Sequence, residues 1–238
     1  MEYFYAKPDD VHGNRLVIRD DECRHLVRVL RKKPGDRVAV TDGNDNLYDT
    51  VIRTIDHSVA ECDIRDVKVR VNEPKVDVSL GVSLLKNPGR MDFLVEKATE
   101  FGVRTVIPLL CERTIPQHEK HARLEKIALA AMKQCGRSFL PRVFMLTQFE
   151  TLVSNVREYD LKLIPHEKTE QSQFIGAVLQ HHLRAKNILI VVGPEGGFSE
   201  HELAVASASG FIPISLGARR QRSESAALSA VAWAVGGW

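Results

Sequence analysis

One stretch of the chain decides the fold class: Asn187-Ile188-Leu189-Ile190-Val191-Val192-Gly193-Pro194-Glu195-Gly196-Gly197-Phe198-Ser199. The apolar run from Ile188 to Val192 is continuous, which is typical of a strand buried on both faces of a sheet. Glycines follow the run, and Ser199 with Glu202 three residues later is the signature of a helix N-cap. The stretch therefore predicts a strand, a glycine loop and a helix, the repeating unit of a parallel α/β sheet.

The same alternation extends outward from this stretch in both directions. Strands are predicted at 78–85, 103–110, 161–164, 187–192 and 211–216, and helices at 90–101, 118–135, 171–183, 199–209 and 224–234. Gly102, Gly136 and Gly210 stand where helices are expected to stop. Apolar strands that alternate with helices predict a parallel sheet covered on both sides.

The first part of the chain has a different pattern of apolar and turn-forming residues. Apolar runs between residues 3 and 69 are short and break at turn signals such as Pro34-Gly35-Asp36. Short strands at 37–40 and 48–52 predict a small β-barrel. One helix is expected at 21–31, with Asp20 or Asp21 as its N-cap. The change of pattern near 70–76 predicts two domains, residues 1–72 and 73–238.

Composition excludes several classes of protein. The 238 residues are 44% hydrophobic and 27% charged, with a formal net charge of +2, which excludes a mainly disordered chain. No apolar run approaches the ~20 residues of a bilayer-spanning helix, so we expect no membrane partner. The start of the chain lacks the pattern of a secretory signal. Four scattered cysteines indicate a reducing, cytoplasmic location and no structural zinc.

Metal binding is not predicted. His118 and His121, with Glu119 between them, are spaced like a weak metal site, but a solvated start of a helix is the better interpretation.

A cluster of basic residues stands out in the first domain. Between Arg24 and Arg37 the chain carries six basic residues and one acidic residue. Arg24, Arg28 and Arg31 have helical spacing, so they are expected to share a face. Two interpretations stay open: a solvated helix face, or a phosphate-binding patch that includes Lys32 and Lys33.

Three loops at the carboxyl ends of predicted strands carry unusual residues, and ligands of open parallel sheets bind at that edge. The loop 193–197 has neither of the common nucleotide-binding glycine spacings, so a ligand contact and a plain turn are equally supported. Arg219, Arg220 and Arg222 precede the last helix, which suits an anionic ligand or a solvated loop. The loop after the first strand of this domain adds Lys86 and Arg90, and two further cations, Arg113 and Arg137, follow.

Five motifs, in order along the chain, resemble those of a known family. They are His25-Leu26-x-x-Val29-Leu30-Arg31 with Gly35-Asp36, Lys86-Asn87-Pro88-Gly89-Arg90-Met91 with 96–103, Gln134-x-x-Arg137 with Pro141, 193–199, and Leu216-Gly217 with 222–226. Together they are similar to the RsmE-type bacterial methyltransferases of 16S ribosomal RNA. The resemblance covers essentially the whole chain.

The resemblance implies a SPOUT fold, in which a parallel α/β sheet has a C-terminal trefoil knot and is preceded by a PUA-like β-barrel. Topology rules make a knot improbable, so it rests on the resemblance alone. The family implies a homodimer that binds S-adenosylmethionine and methylates N3 of a uridine in 16S ribosomal RNA, within the small subunit. The alternatives are a non-catalytic RNA-binding protein of ribosome assembly and a nucleotide-binding regulator that uses the glycine loop.

The resemblance also implies which residues contact the cofactor and which contact the RNA. Cofactor contacts are expected from Pro165, His166, Gly193, Glu195, Gly196, Gly197, Leu216, Gly217, Gln221 and Ser225. RNA contacts are expected from Arg24, Arg28, Arg31, Lys32, Lys86, Arg90, Arg113 and Arg137. The sequence departs from the family at Arg220-Gln221, where two aliphatic residues are usual, which puts the apolar packing beside the cofactor in question.

For the reaction itself we assign two residues. Arg222 is expected to stabilise negative charge on the uracil, and Glu224 to orient groups or transfer a proton. Lys86 is the alternative base if burial lowers its pKa. Because N3 lies on the Watson–Crick edge, the target base must be unpaired or flipped out.

Overall fold

The computed structural model describes residues 3–236, and the chain divides into two compact units. The first unit holds the residues up to Glu73 together with Leu129–Leu140, and the second holds Pro74–Ala128 and the chain from Pro141 onward. The sequence placed residues 129–140 with the C-terminal domain, whereas in the structure they cluster with the first unit.

The first unit is built on a six-stranded sheet. Its strands are β1 (Tyr3–Tyr5), β2 (Val11–His12), β3 (Arg15–Arg19), β4 (Arg37–Thr41), β5 (Asn46–Asp56) and β6 (Val59–Val69). Their order is β1-β4-β5-β6-β3-β2, and every pairing is antiparallel except that of β1 with β4. Leu16, Ile18, Val40 and Ile52 are almost fully buried in its core. The two strands predicted here are confirmed as β4 and β5.

The basic helix of this unit differs from the prediction. Helix α1 covers only Asp20–Arg24 and continues as a π-helical turn over His25–Val29. Its N-cap is Arg19, without a side-chain cap, so the assignment of Asp20 or Asp21 is wrong. Arg31 lies beyond the turn at φ 54°, and the wider π turn breaks the helical spacing. The three arginines therefore do not share one helical face.

The second unit contains a seven-stranded, fully parallel sheet. Its strands are β7 (Asp77–Ser83), β8 (Thr105–Leu110), β9 (Arg142–Val143), β10 (Thr147–Gln148), β11 (Leu161–Pro165), β12 (Asn187–Val192) and β13 (Ile212–Ile214). Six follow the order β10-β8-β7-β12-β11-β13, and β9 also pairs with β8. The predicted parallel sheet is confirmed, and strand β12 has the predicted bounds.

Helices of this part of the chain are α2 (Pro88–Phe101), α3 (His121–Cys135), α4 (Phe149–Val153), α5 (Ile175–His181), α6 (Glu200–Ala208) and α7 (Ser223–Val235). Helix α2 ends at Gly102 in the left-handed conformation, and Ser199 with Glu202 forms a capping box at α6, as predicted. The helix expected at 171–183 begins only at Ile175, because extended Phe174 pairs with Ser215. None of the helices described between residues 3 and 236 is long and apolar enough to cross a bilayer.

Strand β12 lies in the middle of the sheet, between β7 and β11. Ile188 to Val192 are buried, which explains the uninterrupted apolar run. Helix α7 packs on β7, β12 and α2. Because all the strands are parallel, the loops after β7, β12, β11 and β13 open at one edge of the sheet.

Candidate active site

The glycine loop between β12 and α6 is a tight turn with open space beside it. Gly197 adopts φ 70°, and its N–H donates to the Pro194 carbonyl at 2.9 Å. Apart from Gly197 itself and its two chain neighbours, no residue has a heavy atom within 4 Å of the position that a Cβ would take at Gly197. Gly196 has an ordinary φ, and a Cβ there would only touch Arg113 at 3.5 Å.

The loop after β13 repeats this arrangement. Gly217 adopts φ 104°, its N–H donates to Ser215 Oγ at 3.2 Å, and the space beside it is also open. Pro165, at the end of β11, pairs with Ile214, and the His166 N–H donates to the Ile214 carbonyl at 3.1 Å. The structure thus brings the predicted cofactor residues after β11 close to those after β13.

Gln221 is held by two hydrogen bonds. Its amide Nε2 donates to the Leu216 carbonyl at 3.3 Å, and its Oε1 accepts from Ser229 Oγ at 2.9 Å. Ser229 was missed by sequence reasoning, although a serine within an alanine-rich helix is a signal that could have found it. The polar side chain therefore closes the 216–221 loop onto α7.

Arg90 joins three elements of the site. Its Nε donates to Glu224 Oε1 at 2.8 Å, and its Nη2 contacts Glu224 Oε2. Its Nη1 lies 3.4 Å from Glu195 Oε1, which also accepts from the Lys86 backbone N–H at 3.2 Å. The guanidinium that was expected to contact RNA is therefore engaged by two carboxylates.

Glu224 is held as a carboxylate. Burial alone raises the pKa of this group, but hydrogen bonds from Arg90 and the charges of Arg90 and Arg222 outweigh burial, so the net pKa lies below its usual value. A carboxylate that is buried, ion-paired and weakly basic is poorly suited to remove a proton. Of its two expected roles, the geometry favours orientation.

Arg222 stands exposed at the start of α7. It is the N-cap residue, in extended conformation, and its carbonyl accepts from the Ala226 N–H at 2.8 Å. The last helix was predicted over 224–234, but Ser223 is already its first helical residue. The break between loop and helix falls one residue earlier, at Arg222 itself, while exposed Ser225 and buried Glu224 follow in the first turn.

The remaining cations differ in exposure. Arg24, Arg28, Arg31, Lys86 and Arg113 are exposed, and Lys32 is partly exposed. Arg24 pairs with Asp21, and Arg113 Nη1 donates to the Gly196 carbonyl at 3.0 Å.

The expected RNA contact of Arg137 does not agree with the structure, because this residue is buried. Its side chain is 2% exposed and pairs with fully buried Glu73 at 2.6 Å, so its guanidinium is not available to RNA. An arginine just beyond the end of α3 gives no sequence signal that separates these two roles. Within residues 3–236, no cluster of three or more His, Cys, Asp or Glu side chains is arranged to hold a metal ion.

Comparison with known proteins gives the family. Residues 72–235 match the RNA methyltransferase domain model, and residues 18–64 match the RNA methyltransferase PUA domain model. The small subunit ribosomal RNA methyltransferase E of Buchnera aphidicola subsp. Acyrthosiphon pisum is 30% identical over 94% of this chain and 88% of its own. The Synechocystis enzyme of that name is 29% identical over 94% and 74%.

Solved structures agree with these relatives. The chain is similar to ribosomal RNA small subunit methyltransferase E of Neisseria gonorrhoeae, solved bound to S-adenosylmethionine, with a TM-score of 0.83, 28% identity, and coverage of 98% and 95%. A probable rRNA-methyltransferase from Porphyromonas gingivalis gives a TM-score of 0.84 at 30% identity, with coverage of 100% and 98%. On these matches and on the arrangement of the loops, the chain belongs to the ribosomal RNA small subunit methyltransferase E family.

Proposed function

We propose that this protein transfers a methyl group from S-adenosylmethionine to N3 of a uridine in 16S ribosomal RNA. The observation that carries the proposal is the meeting, at one sheet edge, of the glycine loop, the Arg90-linked acids Glu195 and Glu224, and exposed Arg222. Because the chain belongs to a family of ribosomal RNA methyltransferases, we interpret this arrangement as the site of methyl transfer.

The residues at this edge fit the cofactor. Gly197 and Gly217 have no side chain and lie beside open space, so a ligand can approach their backbone closely. Glu195 lies in the same loop and offers a carboxylate to a cationic ligand. We assign the cofactor contacts to this loop, to Pro165 and His166 after β11, and to Leu216, Gly217, Gln221 and Ser225 around the start of α7.

Bound there, the cofactor supplies an electrophilic methyl group. Uracil N3 is protonated and neutral near pH 7, so its proton must pass to water as the N–C bond forms and the methyl group leaves its donor. Arg222 is the exposed cation at the junction of loop and helix, and it stabilises the charge that develops on uracil O2 or O4. Glu224 holds Arg90 and the start of α7 in place. Lys86 is exposed, and the burial that would make it a base is not seen.

We assign RNA docking to the first domain, residues 1–72, and methyl transfer to residues 73–238. The exposed cations Arg24, Arg28 and Arg31, with Lys32 beside them, supply phosphate contacts, which neutralise an RNA backbone independently of sequence. Lys86 and Arg113 are exposed cations beside the methyl-transfer loops, and we assign further RNA contacts to them.

The connection that leads to α7 supports a C-terminal trefoil knot. After edge strand β13 the chain returns to the middle of the sheet, where α7 packs on β7 and β12. On the way, the Ser215 N–H donates to the Gln173 carbonyl at 2.9 Å and the Ile175 N–H donates to the Ser215 carbonyl at 3.0 Å. The returning chain thus runs alongside the connection between β11 and β12, as a threaded segment would.

We also propose that the protein is a homodimer in the cytoplasm, as the resemblance to the family implies.

The test is methylation of ribosomal RNA by the purified full-length chain. Small subunits and free 16S RNA from a strain without the enzyme are incubated with methyl-labelled S-adenosylmethionine, digested, and analysed by mass spectrometry. We expect 3-methyluridine at one position, and at most a weaker reaction with free RNA. RNA binding without cofactor binding or methyl transfer would instead support the assembly-protein alternative.

A further inference from the structure

Arg90 occupies an unusual place among the cations of the second unit. It lies in the first turn of α2, yet its side chain pairs with acids of two other elements: Glu224 at the start of α7 and Glu195 in the glycine loop. The side chains of Arg90 and Glu195 are 26% exposed, and that of Glu224 is 10% exposed. The contact with Glu224 uses two guanidinium nitrogens and both carboxylate oxygens.

This geometry distinguishes the group from an ordinary surface ion pair. A two-pronged guanidinium–carboxylate contact fixes orientation as well as distance. Removal of one partner from a buried pair leaves an uncompensated charge, which is strongly unfavourable. The Lys86 backbone N–H adds a further link to Glu195, so the loops after β7 and β12 and the start of α7 meet at one point.

We infer that Arg90 is a positioning residue that holds the cofactor loop and the start of α7 in their binding geometry. The inference rests on the proposed function, because it assigns Glu195 to the cofactor and Glu224 to the reaction centre. It replaces the expected RNA contact of Arg90, since Nε, Nη1 and Nη2 already donate to carboxylates. Preorganised loops bind a ligand more tightly because less ordering has to occur on binding.

The experiment compares Arg90→Gln and Arg90→Lys in the full-length protein. We expect Arg90→Gln to weaken S-adenosylmethionine binding by about tenfold or more, as loss of charged hydrogen bonds predicts. Its RNA affinity and the salt dependence of that affinity should stay at wild-type values. Arg90→Lys keeps the charge but cannot make the two-pronged contact, so its cofactor affinity should fall between wild type and Arg90→Gln.

A double-variant cycle separates positioning from a general loss of stability. We expect Arg90→Gln combined with Glu224→Gln to bind the cofactor no more weakly than the worse single variant, because both changes break the same contact. Additive losses would overturn the inference. If Arg90→Gln does not fold, Arg90→Lys decides, and wild-type cofactor affinity in that variant would equally overturn it.

Arg123→Gln is the matched control. Arg123 also pairs with an acid of α2, Asp92, at 2.6 Å, but it is 60% exposed and contacts none of the three linked elements. We expect this control to bind cofactor and RNA normally. Arg90→Gln behaving like the control, or losing RNA affinity instead of cofactor affinity, would contradict the inference. Failure of the wild-type protein to bind S-adenosylmethionine would instead contradict the proposed function.

Discussion

At the scale of single residues, we assign different tasks to Arg222 and Glu224, although they are two positions apart. Arg222 is exposed and free to meet a substrate, whereas Glu224 is buried and bound to Arg90. If charge on the uracil appears only in the transition state, its stabilisation affects turnover and not cofactor binding.

We therefore expect Arg222→Ala to remain folded and to bind S-adenosylmethionine within a few-fold of wild type. Its single-turnover rate of ribosomal RNA methylation should fall on the order of 100-fold, the typical cost of a lost charge-stabilising donor. Arg219→Ala removes an exposed arginine from the same loop and is the control. Near-normal methylation by Arg222→Ala would remove Arg222 from the mechanism.

Gly197 gives a second prediction at this scale, because its φ of 70° is unfavourable for any β-branched residue. We expect Gly197→Val to abolish cofactor binding in calorimetry while the protein remains folded. Strain of this kind costs on the order of 1–3 kcal/mol. Gly13, at φ 58° and also beside open space, is the matched control in the first unit. Equal cofactor affinity in Gly197→Val and Gly13→Val would mean that the glycine loop is only a turn.

At the scale of elements, the sequence predicted what depends on local signals. Apolar runs located β7, β8 and β12, the Ser199–Glu202 pattern located the start of α6, and Gly102 located the end of α2. The π turn at 25–29 has no such signal, because no residue type marks the change from an α-helical to a π-helical turn. The same is true of Phe174, whose extended conformation is set by a partner far along the chain, Ser215.

The basic segment that contains α1 and the π turn carries a prediction of its own. Replacing Arg28 and Arg31 by alanine should weaken RNA binding and leave S-adenosylmethionine binding unchanged. Each lost phosphate contact should reduce the slope of log affinity against log salt by roughly 0.7–0.9. A double alanine variant of Arg53 and Arg65, two exposed arginines of the same unit, is the control. An unchanged slope in the Arg28 and Arg31 variant would show that this segment is only a solvated surface.

At the scale of the whole molecule, a buried ion pair organises the first unit. Glu73 accepts from Arg137 Nη2 at 2.6 Å, from the Ser138 N–H at 3.1 Å and from the Phe139 N–H at 3.0 Å. Sequence reasoning could not find it, because the partners are more than sixty positions apart. The family, in contrast, could be predicted from the sequence, because its motifs follow one another along the chain. Finding them needs no knowledge of which residues are in contact.

We expect Glu73→Gln to lower the free energy of unfolding by about 3–5 kcal/mol, because it leaves Arg137 buried without a counter-charge. Thermal and denaturant unfolding measure the change, with Glu61→Gln as the exposed control. Unfolding of Glu73→Gln at the wild-type midpoint would show that the pair is dispensable. Loss of RNA affinity in a normally stable Arg137→Ala variant would restore the expected RNA contact.

The division of the first unit between two parts of the sequence also has a consequence for synthesis on the ribosome. Its strands are complete at Val69, but Leu129–Leu140, which supply Arg137, are made only after a large part of the second unit. At roughly 5–20 residues per second, that interval lasts on the order of several seconds. During this time Glu73 has no counter-charge, so the first unit cannot complete its folding when its last strand leaves the ribosome, but only once Leu129–Leu140 have followed.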